Sequence, residues 1–142
     1  MAKQVCIFAE NKPGRLERIT GILMEQKINI RATTIATSQG FGIIKMIVES
    51  PDKTIELLRS RGLTAYSREV IAVLMEDQPG GLHKIAQAFA GRQINIEDAY
   101  GFVIQDKKRA VMILDVEDIP EAVQVLTEAK VSILNDAELY KL

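Results

Sequence analysis

Cysteine and histidine each occur once, as Cys6 and His83, and tryptophan does not occur. One thiol excludes a disulfide framework within the chain, and one Cys with one His excludes a metal centre built from those ligands. Aromatic residues make up only 5% of the chain, and those suited to stack bases are scattered along it. No apolar run approaches the ~18 residues of a membrane-spanning helix. Met1-Ala2-Lys3-Gln4 leads directly into a short apolar strand with no extended apolar leader segment. A soluble, cytoplasmic protein without a membrane partner is the expectation. The formal charge of −1 excludes a strongly basic nucleic-acid binder, yet it hides an asymmetry. Residues 1–69 hold 11 basic and 7 acidic side chains, and residues 70–142 hold 7 and 12. Unlike halves are therefore set to attract, within a chain or between chains.

What the chain does have is a pattern stated twice. Glu10-Asn11-Lys12-Pro13-Gly14-Arg15-Leu16 returns 66 positions later as Glu76-Asp77-Gln78-Pro79-Gly80-Gly81-Leu82, and Ile28-Asn29-Ile30 returns in step as Ile94-Asn95-Ile96. In each copy an apolar strand (Val5–Ala9, Ile71–Met75) runs through the Pro-Gly turn into a helix. The stripes Leu16, Ile19, Leu23 and Leu82, Ile85, Phe89 recur at helical spacing. A β-hairpin follows, turning at Gln39-Gly40 or Asp106-Lys107. Ser50-Pro51 and Asp118 with Pro120 open a second helix, with Ile55, Leu57 and Leu58, or Val123 and Leu126, facing inward. Leu63–Arg68 and Val131–Tyr140 read as closing strands. The order β-α-β-β-α-β, written twice, predicts an α+β, ferredoxin-like fold in two domains, 1–69 and 70–142, with no linker and with the sheets packed side by side. Eight strands and four helices are expected. Cores of about 70 residues are near the lower limit of independence, so a homodimer is expected as well.

Proline presets φ, and glycine admits a close neighbour to the backbone, so each Pro-Gly segment is read as entering the first helical turn with amides open to an anion. An amide cluster beside an Asn or Asp oxygen suits the carboxylate and ammonium of a free amino acid. Asp77 offers a full charge where Asn11 offers a dipole, and Gly81 replaces the long side chain of Arg15. The second loop is therefore expected to contribute more than the first. Asn29 and Asn95, at strand entrances, either satisfy local backbone groups or face the loop of a neighbouring copy.

This arrangement resembles the ACT domain family, on the strength of Asn11-Lys12-Pro13-Gly14-Arg15-Leu16, Asp77-Gln78-Pro79-Gly80-Gly81-Leu82 and the two Ile-Asn-Ile strand starts. The resemblance covers nearly the whole chain as a tandem pair. It implies small effectors, often amino acids or similar small carboxylates, held between units. The residues it implies are Asn11, Lys12, Pro13, Gly14, Arg15 and Leu16 with Asn29 and Ile30, and Asp77, Gln78, Pro79, Gly80, Gly81 and Leu82 with Asn95 and Ile96. The first copy carries Asn11 where the commoner form is acidic.

No catalytic residues, metal or cofactor are expected. His83 has Glu17 as its counterpart in the first copy and no nucleophile fixed beside it by spacing. Cys6 lies in an apolar strand, unlike an accessible, electropositive reactive thiol. The same element order serves RNA-recognition modules, but Phe41, Tyr100 and Phe102 are scattered, Lys107-Lys108-Arg109 reads as a solvated hairpin tip, and the second half is acidic. The reading is a stand-alone regulatory protein that binds a free amino acid at inter-domain clefts and acts on another protein or enzyme. Its alternative is a ligand-free protein-interaction adaptor.

Overall fold

The computed structural model describes all residues, 1–142. Its elements are β1 (Ala2–Glu10), α1 (Arg15–Glu25), β2 (Ile30–Ser38), β3 (Phe41–Val48), α2 (Pro51–Ser60), β4 (Thr64–Glu76), α3 (Gly81–Ala90), β5 (Ile96–Val103), β6 (Arg109–Val116), α4 (Ile119–Glu128), β7 (Ser132–Leu134) and α5 (Asp136–Tyr140). They form two βαββαβ-like ferredoxin units. Lys3–Arg68 is one compact unit, and Glu69–Leu142 with Met1–Ala2 is the other.

In the first unit the strands lie in the order β2-β3-β1-β4. β1 and β3 are antiparallel from Val5 opposite Met46 to Glu10 opposite Phe41. β2 and β3 form the hairpin, with Ser38 opposite Phe41 and Ile30 opposite Val48. Alternation along β1 and β3 sends Val5, Ile7, Ile44, Met46 and Val48 toward the helices, where they bury Ile19, Ile22 and Leu23 of α1 and Ile55 and Leu58 of α2. Leu57 is only half-buried.

The second unit keeps the same order, as β7-β4-β6-β5. β4 meets β6 from Ile71 opposite Leu114 to Glu76 opposite Arg109, and meets β7 at Ala72, Val73 and Leu74. Ile71 and Val73 pack with Leu114, Val116, Ile85, Phe89, Ala122, Val125 and Leu126.

Two sequence expectations are corrected. The strands expected at Leu63–Arg68 and Ile71–Met75 are one strand of 13 residues, β4, so there are seven strands and not eight. Glu69 and Val70 lie inside it with no loop. The strand expected over Val131–Tyr140 is only three residues long, and the chain turns into a fifth helix. Asn135 explains the stop. Its Oδ1 accepts from the Glu138 amide at 2.9 Å while Glu138 Oε2 accepts from the Asn135 amide at 2.9 Å, a reciprocal cap that starts a helix more firmly than the preceding β-branched residues extend a strand. Leu139 is fully buried and anchors the turn. Asn135→Ala should therefore cost about 0.5–2 kcal/mol. Hydrogen exchange should show it first at the Glu138 and Leu139 amides, and unchanged protection there would refute the assignment.

Candidate functional site

The two Pro-Gly segments share one backbone skeleton. Asn11 N donates to Gly40 O and Asp77 N to Lys108 O, each at 2.8 Å, so both loops are tied to the tip of their own hairpin. Lys12 N and Gln78 N donate back to Glu10 O and Glu76 O at 3.0 Å. Arg15 N then donates to Lys12 O at 3.3 Å, and Gly81 N to Gln78 O at 3.0 Å. With Pro at the second position and Gly14 and Gly80 at φ of 86° and 91°, each is a type II turn, which needs glycine at its third position. The prolines thus precede the helices and do not occupy their first turns. Gly14 and Gly80 are the N-caps. The Arg15 and Gly81 amides are spent on the turn, leaving those of Leu16 and Glu17, and of Leu82 and His83, without an acceptor in their helix. Leu16 and Leu82 do not join the cores expected of them. They remain 39% and 42% exposed beside the turns.

Side chains make the two copies different. In the first, Glu10 forms ion pairs with Lys12 and with Arg15, the latter at 3.6 Å. The Lys12 hydrogen bond, its charge and the Arg15 guanidinium hold the Glu10 carboxyl below the ordinary glutamate value. A carboxyl lowered in this way stabilises the loop above its unfolded pKa, and that contribution disappears as pH falls through the lowered folded value. All three groups are well exposed to solvent, so salt weakens the arrangement. The space beside it, lined by Asn11, Lys12, Arg15, Leu16 and Ile35 among others, is only about 70 Å³.

In the second copy the counterparts of Lys12 and Arg15 are Gln78 and Gly81, so Glu76 has no cation from its own loop. A cavity of about 540 Å³ opens between the end of β4, the start of α3 and the start of β7. Its walls include Glu76, Gln78, Pro79, Gly80, Gly81 and Ile85, with Lys84, Arg109, Lys130 and Ser132 supplying polar atoms. Asp77 stands outside this lining, and Glu76 is its one carboxylate. Arg109 Nε is bound to Asp106 Oδ2 at 2.7 Å. Asp106 also accepts from the Lys108 and Arg109 amides at 2.9 and 3.0 Å. These bonds, that of Lys108 first, hold its carboxyl below the ordinary aspartate value and fix the hairpin tip that carries Arg109.

The strand-entrance asparagines are not beside their own loops. Asn29 and Ile30 border a separate open recess of about 410 Å³ with Thr20, Met24, Lys27 and Ile28. Registers place Ile30 opposite Val48 and Ile96 opposite Val116, whereas the Pro-Gly loops follow Glu10 opposite Phe41 and Glu76 opposite Arg109. Asn29 and Asn95 are therefore at the far end of their own sheets. Asn95 Nδ2 donates locally to Glu97 Oε1 at 2.9 Å. Lys84, Arg109, Lys130 and Ser132 had no signal in the sequence, because they come from three distant segments. His83 is exposed, Cys6 is buried, and no three His, Cys, Asp or Glu residues are grouped to hold a metal ion.

Duplicated ferredoxin-like units define the fold class, and the second unit adds a cavity of ligand size at its strand-to-helix turn. The chain belongs to the ACT domain pair family, whose model matches residues 1–142. A protein from Bacteroides thetaiotaomicron has the same fold at a TM-score of 0.92 and 33% identity, covering 99% of this chain and 96% of that one. The regulatory subunit of aspartate kinase from Thermus thermophilus, in a ligand-free form, aligns at a TM-score of 0.66 and 19% identity over 89% of this chain and 91% of that one, a likeness of fold. A probable acetolactate synthase small subunit from Archaeoglobus fulgidus is 33% identical over 58 residues, 39% of this chain. The match spans 36% of that relative's length.

Proposed function

We propose that this protein senses a free amino acid or similar small carboxylate, and that ligand occupancy changes its association with an enzyme or other protein. The supporting observation is the cavity of about 540 Å³ at the second Pro-Gly turn, lined by one carboxylate and three basic side chains. In this reading the output is conformational: a ligand shifts the protein toward whichever state it binds more tightly. Two relatives are named as enzyme subunits, one of them explicitly regulatory, which supports an enzyme as the partner. The chain is proposed to act as a cytoplasmic homodimer, with domains 1–69 and 70–142 retained as functional repeats. Asn29-Ile30 and Asn95-Ile96, distant from their own loops, are proposed to reach a Pro-Gly site from the partner chain.

A thermal-shift screen of the proteinogenic amino acids, followed by calorimetry of the hits, tests the reading. Stabilisation by at least one amino acid is expected, and silence across the set would favour the ligand-free adaptor. The second turn should dominate the binding. Glu76→Gln should weaken it about 10-fold, from loss of a charged hydrogen bond to the ammonium. Asp77→Asn and Asn11→Ala should each have a smaller effect. A larger loss from Asn11→Ala would reverse the assignment of the two loops.

A further inference from the structure

We infer that the ligand of the second-turn cavity carries two anionic groups and one ammonium, which makes it an amino acid with an acidic side chain. The inference rests on the amino-acid reading above and assigns its chemical class. Around the cavity stand Lys84 from α3, Arg109 from β6 and Lys130 from the segment between α4 and β7, against one carboxylate, Glu76. Arg109 is already shared with Asp106. Lys84 and Lys130 form no ion pair, unlike Lys12 and Arg15 of the first unit, which Glu10 engages.

The first turn of α3 has no acidic side chain, whereas that of α1 has Glu17. Nothing in the second unit thus duplicates the neutralisation seen in the first. A zwitterion with an uncharged side chain brings no net charge and leaves this excess of positive charge unanswered. An acidic amino acid supplies two carboxylates for the Lys84, Lys130 and Arg109 side chains around the cavity, and an ammonium for Glu76. Both lysines are exposed, so the preference is moderate and sensitive to salt.

Calorimetry on the full chain should compare L-aspartate and L-glutamate with L-asparagine, L-glutamine and succinate at low and high salt. At least one acidic amino acid should bind about 10-fold more tightly than its amide, as a charge-assisted contact replaces a neutral one. That gap should narrow at high salt and close in the Lys84→Gln/Lys130→Gln double variant, whose melting temperature verifies its fold. If an amide or another neutral amino acid binds as tightly as the acids, the class assignment fails while the sensor reading stands. Succinate matching L-aspartate would show that the ammonium is not read, overturning the amino-acid assignment. If no amino acid binds, both readings fall together.

Discussion

Phe89→Ala should strongly destabilise the second unit. Phe89 is the largest of the fully buried side chains and sits on α3 among Ile71, Val73, Ile85, Leu114 and Leu126. Emptying such a site costs about 3–5 kcal/mol, the lost transfer energy plus the cavity left behind. A domain of this size has only about 4–11 kcal/mol in total, at roughly 0.05–0.15 kcal/mol per residue. Few other buried side chains could fill the gap, since the core is small and aromatic residues are scarce. The melting temperature should fall by about 10 °C or more, given a shift of ~4–8 °C per kcal/mol for a domain of 60–100 residues. Leu82→Ala, on the same helix but 42% exposed, should stay within about 0.5 kcal/mol of the parent. Similar losses from the two variants would contradict the packing of α3.

The second large effect is expected at Gly81, where stability and binding should fall together. A Cβ there would stand 2.3 Å from the Glu76 carbonyl oxygen, backbone against backbone, with no flexible side chain able to yield. Gly81→Ala must push α3 away from the end of β4, at about 1–3 kcal/mol for an overpacked contact. The same displacement moves Lys84 and the Leu82 and His83 amides relative to Glu76, so binding of any amino-acid ligand should drop at least about 10-fold, or ~1.4 kcal/mol. The first copy carries Arg15 at this position, so α1 leaves room for a Cβ beside β1, and Arg15→Ala should leave the fold intact. Calorimetry and melting curves on both variants provide the check. Parental binding by Gly81→Ala would mean that the close approach has no part in shaping the cavity.

Much of this was legible in the sequence, for a physical reason. A 66-residue offset repeats backbone requirements, and those requirements are local: a type II turn needs glycine at its third position, and a strand-to-helix change shows as a change of period. The position of both turns, the helical cores and the order of elements along the chain follow from them, while the type II geometry that sets the prolines ahead of the helices does not. The Ile19, Leu23, Ile85 and Phe89 positions were recoverable because burial and period coincide. Leu16 and Leu82 share that period but lie at the open ends of their helices, where the stripe runs out over solvent.

Less local features were hidden. From the sequence one strand ends at Arg68 and the next begins at Ile71, whereas β4 runs unbroken through Glu69 and Val70, because backbone pairing does not depend on what those side chains do. Val131–Tyr140 reads as one strand from its apolar and β-branched residues, and the Asn135–Glu138 cap that cuts it short emerged only in the structure. The cavity was the deepest omission. Lys84, Arg109 and Lys130 are separated by more than twenty positions each, and only folding brings them to one rim. Sequence reasoning chose Asp77 as the acidic partner because it replaces Asn11. In the structure the residue before it, Glu76, lines the cavity, since the first copy holds its own glutamate closed with Lys12 and Arg15 and the second does not.

Strand β4 also limits how this protein can change over generations. A duplicated domain ordinarily keeps a spacer, and a spacer is where insertions accumulate, proteases cut and recombination exchanges one copy for another. Here the junction between repeats falls within a hydrogen-bonded strand, where an added residue would reverse the facing of every side chain beyond it. The two copies can diverge by substitution, as their Pro-Gly turns have done, but the strand they share leaves little room for an insertion between them.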